Sequence, residues 1–595
     1  MAADNDFALK LANVNGTGSA SANGLLMQAI FRMGIPVSGK NLFPSNIQGL
    51  PTWYEIRVNR EGHVARTEVF DLFIAMNAET YAADIAEVRP GGYILYDSSW
   101  PLDAALEREG VHFLGVPFAR LCGEAFTDSR ERILMKNIAY VGALMALLDI
   151  DHAVVDKLLE EKFAGKPKLR TSNRKAVELG RRYAVEHLPH PLPFKLAPMN
   201  ATEDSILIDG NTAAALGCVY AGATVAAWYP ITPATSLMDA FRGFVADLRK
   251  DKDGRMNACI IQAEDELAAI GMTIGAAWAG ARSFTSTAGP GISLMSELIG
   301  LAYYAEVPVV VMDVQRVGPS TGMPTRTQQG DILACAYASH GDTKHLLLFP
   351  ANPEECFTMA PIAFDLAERF QTPVFMLSDL DIGMNDWVCK RLSWDDAYRP
   401  NRGRVLDADA IAKLATFTRY WPVDEDFVAA RTLPGVAEKG AYFTRGSGHN
   451  KLGGYTETPS EYQDVVDRLA QKHRAAALAI PTPIIDGRGA RLGLITIGGC
   501  DGAVREALQI LRARGLELDF MRLRGFPFGA EVEAFIAGHE RCFVIEQNRD
   551  AQLRTLLTVE LGIDPARLWP ALSYGGFPLS AREVIAHVDR RLEKA

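Results

Sequence analysis

A chain of 595 residues, 48% of them apolar, is too long for one hydrophobic core and calls for three or four well-packed domains. Its net charge of −11 is spread without an acidic tail or a basic stripe, which argues against nucleic acid or an anionic membrane as main partner and leaves small anions to local arginines. The opening MAADNDFALKLANVNG has no basic region, apolar core and cleavage site of a signal peptide, so a cytoplasmic protein is expected.

Residues 7–190 open with LKLANVNGTGSASANGLLMQAIFRMGI, a strand, a Gly/Ser/Asn-rich turn and an apolar-periodic helix. Further strands in DLFIAMN and GGYILYDSS make this a parallel α/β domain. The turn fails the G-x-G-x-x-G spacing, because Ala20 and Ser21 follow Gly18. Amides at Gly16, Thr17, Gly18 and Ser19 suit a phosphate-bearing ligand, with a plain tight turn as the alternative.

After the linker HLPHPLPFKLAPMNATEDS, a second α/β domain runs over residues 205–388, with strands in ATVAAW, ACIIQA, RSFTSTA, VPVVVMDVQ and TPVFMLSD. The uncharged stretch 213–230 is mostly Ala and Gly and reads as a helix ending near Gly222 and then a strand, not a membrane span. In AWYPITPATS, Thr232 lies between Pro230 and Pro233, which holds it extended. The spacing predicts Thr232 as the N-cap of the helix in TSLMDAFRGFV, with Pro233 at its first position. Residues 389–485 are polar and predicted as an irregular connecting arm, and strand and helix alternate again over 486–595. The eight cysteines are scattered without C-x-x-C, a pattern of reduced thiols with no local zinc or iron–sulfur motif.

The chemistry concentrates in QAEDELAAIGMTIGAAWAGARSFTSTAGPGISLMSELIGLAYYAEVPVVVMDVQR, residues 262–316. An acidic triplet opens a helix whose face of Ala268, Gly271, Gly275 and Ala279 admits close approach of another helix or a flat ligand. Taken alone, the triplet is an ordinary solvated cluster matched to the helix dipole. TAGPG then reads as a turn where backbone approaches a ligand. Arg316 ends an apolar strand, where its guanidinium suits a planar carboxylate or a surface ion pair. Arg326 and Lys344 are candidates for a second carboxylate.

This stretch resembles the pyrimidine-binding domain of thiamine-diphosphate enzymes. Counting back from Gly275 puts Glu266, not Glu264, at the position of the glutamate that bonds N1′ of the aminopyrimidine. With YPITP, QRVGPSTGMPTRTQQGD, YFTRGSGH and GGCDGAVREA, the chain resembles the α subunit of 2-oxoacid:ferredoxin oxidoreductases, with a γ-type domain fused at its N-terminus. The fold class implied is α/β and multidomain: a γ-like domain over 1–190, a pyrimidine-binding domain over 205–388, the arm over 389–485 and a transketolase C-terminal-like domain over 486–595.

The resemblance further implies Glu266 as the catalytic residue and Thr232, Arg316 and Thr321 as substrate-binding residues. Tyr229, Pro230, Ile231, Gly289 and Gly291 would line thiamine diphosphate, and Gly16, Thr17, Gly18 and Ser19 would contact CoA. The expected reaction is CoA-dependent oxidative decarboxylation of 2-oxoglutarate to succinyl-CoA and CO₂ with ferredoxin as acceptor, or the reverse carboxylation. Pyruvate or branched 2-oxoacids are alternative substrates; SNIQGLPTWYEIRV and the fused layout favour 2-oxoglutarate. No G-D-G motif with a downstream Asn pair is found, so a β subunit is expected to bring Mg²⁺, the diphosphate site and a [4Fe–4S] cluster in an (αβ)₂ assembly. A non-redox thiamine lyase or synthase, and a scaffold without catalysis, are the other readings.

Overall fold

The computed structural model describes residues 4–45, 49–422 and 424–593. Asn46, Ile47 and Gln48 of SNIQGLPTWYEIRV lie outside the described residues. The chain forms two compact units, one of residues 1–208 with 385–391 and 580–582, the other of residues 209–384, 392–579 and 583–595.

The first unit is built on β1 (Asp6–Val14), β2 (Val37–Leu42), β3 (Pro51–Asn59), β4 (Phe70–Ala75), β5 (Val88–Asp97) and β6 (His112–Val116), in the order β2-β3-β1-β4-β5-β6. Strands β1, β4, β5 and β6 are parallel, but β3 runs antiparallel to both β1 and β2. The sheet is therefore mixed, not all-parallel as expected. Residues 43–50 are too few for the crossover of a dozen or more residues that a parallel return needs, so β3 comes back antiparallel. Leu9, Leu11, Ile56, Leu72, Ile74 and Leu95 form the core with the helices Ser19–Arg32 and Ser129–Leu148. A short ladder of β7 (Ser205–Ile208) with β14 (Trp387–Lys390) also belongs to this unit.

The second unit carries β8 (Val225–Trp228), β9 (Cys259–Gln262), β10 (Ser283–Thr287), β11 (Val309–Gln315), β12 (Leu346–Leu348) and β13 (Pro373–Asp379). Its C-terminal part adds β15 (Ile484–Asp486), β16 (Leu492–Ile497), β17 (Asp519–Leu523), β18 (Gly525–Phe526), β19 (Arg541–Glu546) and β20 (Leu568–Leu572). One sheet has the order β18-β12-β13-β11-β10-β8-β9 and the other β15-β17-β16-β19-β20. The near-continuous Val and Met of β11 fit a parallel strand covered on both faces. One apolar core containing Val309, Val311, Phe375, Ile495, Met521 and Val544 runs through both sheets.

Most of the arm is irregular, but Pro459–Ala475 is a helix of 17 residues that the sequence reading passed over. Its buried side presents Arg468 and Lys472 beside Val465 and Leu469, so apolar periodicity does not announce it. Both cations meet the fully buried Glu306: Lys472 Nζ lies 2.7 Å from Oε2, and Arg468 Nη1 lies 3.1 Å from Oε2 while its Nη2 bonds Oε1. Arg419 Nη2 donates to the Glu306 carbonyl at 2.8 Å. Burial raises the Glu306 pKa, but these cations outweigh it and hold the carboxyl far below the usual carboxylate range.

Candidate active site

In a parallel sheet ordered β9-β8-β10-β11, the connection leaving β8 runs to one side and the later strands add on the other. Ligands of open α/β sheets bind at such a reversal, beyond the carboxyl ends of the strands. The segments leaving β8, β10 and β11 are YPITP, TAGPG and the loop that starts with Arg316.

Thr232 departs from its predicted role. The Thr232–Pro233 peptide is cis, and the helix is Thr235–Leu248 with Ala234 as N-cap and no side-chain cap. The Thr235 amide and hydroxyl both donate to the Ile231 carbonyl, at 3.1 and 3.2 Å, so no side chain does the capping expected of Thr232. The Thr232 hydroxyl is left without a partner among the described residues. Its carbonyl accepts a 2.6 Å hydrogen bond from Arg316 Nη1, which ties the β8 loop to the end of β11. Tyr229 and Pro230 are exposed and Ile231 is half-buried. Thr321 is also exposed, in a separate turn.

Of the acidic triplet, Glu264 and Asp265 are exposed, whereas Glu266 is 7% exposed. Asp265 caps the helix Glu266–Trp278 by accepting from the Ala268 amide at 2.7 Å, so Glu266 turns inward at its first position. No hydrogen bond or ion pair to a described residue satisfies the Glu266 carboxyl. That leaves its oxygens to water or to a ligand.

Gly289, Pro290 and Gly291 are not a separate turn but the start of the helix Gly289–Tyr304. A Cβ at Gly291 would lie 1.9 Å from Thr287 Oγ1 and 3.0 Å from Glu266 Cγ; one at Gly289 would lie 2.6 Å from Asp331 Oδ1. Both glycines are thus required by side chains pressed against the backbone. Space beside Gly275 is open and a Cβ at Gly271 would meet Leu298 Cδ1 at 3.5 Å, on a helix that also exposes Leu267, Met272 and Trp278.

Beneath the loops lies a group the sequence reading did not single out. Asp313, on β11, is fully buried; its Oδ2 is 3.8 Å from Cys335 Sγ and its Oδ1 has no partner. Asp331 Oδ2 is also buried without a partner, and the Asp331 amide donates to Gln315 Oε1 at 3.1 Å. Burial pushes the Asp331 carboxyl up to about 7 against the pull of Arg316, and burial together with Asp331 raises Asp313 well above the carboxylate range. An Asp inside VVVMDVQ was the available signal, since a charge is costly in a parallel strand covered on both faces. Lys344 is held by both Glu560 oxygens, at 2.9 and 2.8 Å, which removes it as a free cation for a second carboxylate. Arg326 bonds Thr325 and lies over Phe577.

In the first unit, Gly16 and Gly18 take φ of +87° and +85°, and Gly18 precedes the helix Ser19–Arg32 without a side-chain cap. Thr17 is held by its hydroxyl to the Val14 carbonyl at 2.8 Å and by Asn137 Nδ2 on its own carbonyl at 2.7 Å. Beside it is a cavity of about 210 Å³ whose lining includes Thr17, Trp100, Arg132, Lys136 and Asn137. Ser19 is buried. Among the described residues no group of three or more His, Cys, Asp or Glu could hold a metal ion, and no helix is long and apolar enough to cross a membrane.

The family described as pyruvate flavodoxin/ferredoxin oxidoreductase, thiamine diP-binding, matches residues 216–386. That described as pyruvate ferredoxin/flavodoxin oxidoreductase matches residues 8–183. The chain is 30% identical to subunit alpha of 2-oxoacid:ferredoxin oxidoreductase 2 from Aeropyrum pernix, over 99% of this chain and 98% of that one. It is 30% identical to 2-oxoglutarate oxidoreductase subunit KorA of Mycobacterium tuberculosis, over 80% of this chain and 75% of that one. A solved structure of 2-oxoglutarate:ferredoxin oxidoreductase from Magnetococcus marinus, with 2-oxoglutarate, coenzyme A and succinyl-CoA bound, aligns with a TM-score of 0.88 at 29% identity, covering 99% of this chain and 100% of that one.

Proposed function

Because the chain belongs to the α-subunit family of 2-oxoacid:ferredoxin oxidoreductases, we propose that it forms the pyrimidine side of a thiamine-diphosphate site acting on 2-oxoglutarate. The reaction is CoA-dependent oxidative decarboxylation to succinyl-CoA and CO₂ with ferredoxin as acceptor, and its reverse. One observation carries the reading: Glu266, buried and unpaired, lies against the first turn of the Gly289 helix.

Thiamine diphosphate, when bound, supplies the carbon nucleophile and the electron sink. Glu266 would hold N1′ of its aminopyrimidine and exchange a proton there. Gly289 and Gly291 keep that approach free of side chains, and Tyr229, Pro230 and Ile231 border it. Arg316 would grip the oxoacid carboxylate while its bond to the Thr232 carbonyl fixes the loop, so that the Thr232 hydroxyl is aimed at the substrate. Thr321 is the outermost substrate contact in this reading.

In the first unit, Thr17 lines the cavity with Arg132 and Lys136, two cations suited to CoA phosphates, and Gly16, Gly18 and Ser19 would offer their amides from the same turn. The diphosphate, Mg²⁺ and a [4Fe–4S] cluster fall to a β subunit. The helix surface that is open at Gly275 and exposes Leu267, Met272 and Trp278 is the one we assign to that partner in an (αβ)₂ assembly. The names of the relatives favour 2-oxoglutarate over pyruvate or branched 2-oxoacids. Viologen reduction by the co-purified complex should be fastest with 2-oxoglutarate, and a preference for pyruvate would overturn the assignment. Glu266→Gln should slow exchange of the thiamine C2 proton; unchanged exchange would move the role to Glu264.

A further inference from the structure

A buried pocket for an anionic substrate needs a net positive charge. At the end of β11 the count does not come out that way if every group is ionised: Arg316 supplies one positive charge, while Asp313 and Asp331 would supply two negative ones. Three buried polar atoms are left without partners there, Arg316 Nε, Asp313 Oδ1 and Asp331 Oδ2. Neither carboxylate comes within 4 Å of the Arg316 guanidinium to form an ion pair, although both belong to the short stretch around that arginine. Arg316 instead spends one donor on the Thr232 carbonyl, at 2.6 Å.

We propose that Asp331 is a positioning residue that sets the charge of the oxoacid pocket: protonated, it leaves the Arg316 cation to the substrate carboxylate, and ionised, it competes with the substrate for that cation. This rests on the reading of Arg316 as the carboxylate anchor. The titratable and charged groups facing Asp331 are Asp313 from β11, Arg316 just after that strand, and Cys335 from the helix Ile332–Ala336 that Asp331 precedes. Gln315 Oε1, uncharged, accepts from the Asp331 backbone amide, and Gly289, against the Asp331 carboxyl, brings no side chain. Asp313 is more deeply buried than Asp331 and stays neutral beside it, so Asp331 is the group that changes. The carboxyl raised to about 7 by burial places that change within the working range of most enzymes.

The direction follows. Below pH 7 the pocket holds one net positive charge and accepts a carboxylate; above it Asp331 neutralises Arg316 and the oxoacid must bind against an ionised neighbour. Binding of the substrate then favours the protonated acid, so it draws in a proton at alkaline pH.

The test uses the complex of this chain with its partner subunit. For the wild type, KM for 2-oxoglutarate should rise about 25-fold between pH 6.5 and 8.5 for a carboxyl titrating at about 7, since each pH unit well above a pKa costs about tenfold in the protonated form. In Asp331→Asn the rise should vanish, with KM at pH 8.5 near the wild-type value at pH 6.5. As a readout that needs no variant, N-oxalylglycine, an unreactive isostere of 2-oxoglutarate, should bind at pH 8 with proton uptake, measured calorimetrically in buffers of different ionisation enthalpy. A KM slope retained in Asp331→Asn, or no proton uptake by the wild type, overturns the proposal. An unchanged KM in Arg316→Ala instead overturns the anchor reading on which it rests.

Discussion

Replacing Gly291 by Ala tests whether Glu266 must sit where it does, without altering any charge. The added Cβ would lie 1.9 Å from Thr287 Oγ1, 3.2 Å from Thr287 Cβ and 3.0 Å from Glu266 Cγ. An ordinary contact is about 3.5 Å or more, so roughly 1.5 Å must be found at Thr287 and about half an ångström at Glu266. Thr287 is fully buried at the end of β10, and the helix that starts at Gly289 has the freer side to move. Overpacking of this kind costs about 1–3 kcal/mol, a modest loss in a chain of this size. The functional loss should be larger, because a misplacement of about 1 Å at a reacting group costs on the order of 100-fold. The measurements are kcat and thiamine C2 proton exchange in the co-purified complex, with thermal unfolding alongside. Thr287→Ala added to Gly291→Ala should restore part of the rate, and Thr287→Ser, which keeps the offending oxygen, should not. A Gly291→Ala complex with both rates within twofold of wild type would refute the reasoning.

Arg316→Ala should raise KM for the oxoacid steeply, since losing one buried charge partner costs about 2–5 kcal/mol; a change under twofold would point to another anchor. Glu306→Gln leaves Arg468 and Lys472 buried with no anion and should cost about 3–5 kcal/mol in urea unfolding, so a loss below about 1 kcal/mol would show that the cations find water. His345, His449 and His473 are held by burial with pKa values down to about 4, against about 6.5 in the unfolded chain. The unfolded chain therefore binds protons first, and stability should be full above about pH 6.5 and fall as pH drops toward 4. Unfolding free energies that stay level across that window would contradict the burial of these rings.

What could be read from the sequence was what depends on local spacing. The strands ending in TSTA and VQR, the helix opened by Glu266 and the short run after Gly222 rest on apolar periods of two and 3.6. What could not be read depends on side chains far apart in the chain. Nothing near Thr232 announces that the helix starts only at Thr235 and without a side-chain cap, because both are hydroxyl residues within reach of the same turn. The helix Pro459–Ala475 escaped because half of what it buries is charge, and that charge is meaningful only beside Glu306, more than 150 positions away. Gly289 looked like a turn residue, but its reason is Asp331, which lies on a different loop.

Strand β18 pairs antiparallel with β12, Leu347 opposite Phe526 and Leu348 opposite Gly525. The last segment of the chain thereby closes one margin of the sheet that bears the thiamine-type site. A protein cut after residue 485 would expose that margin, with Leu346, Leu347 and Leu348 offering unpaired amides and carbonyls to any passing strand. The C-terminal segment is thus a lid against self-association as much as a domain. Supplied as a separate polypeptide of residues 486–595, it should rescue the solubility of the truncated chain by re-forming two residues of ladder and the shared apolar core.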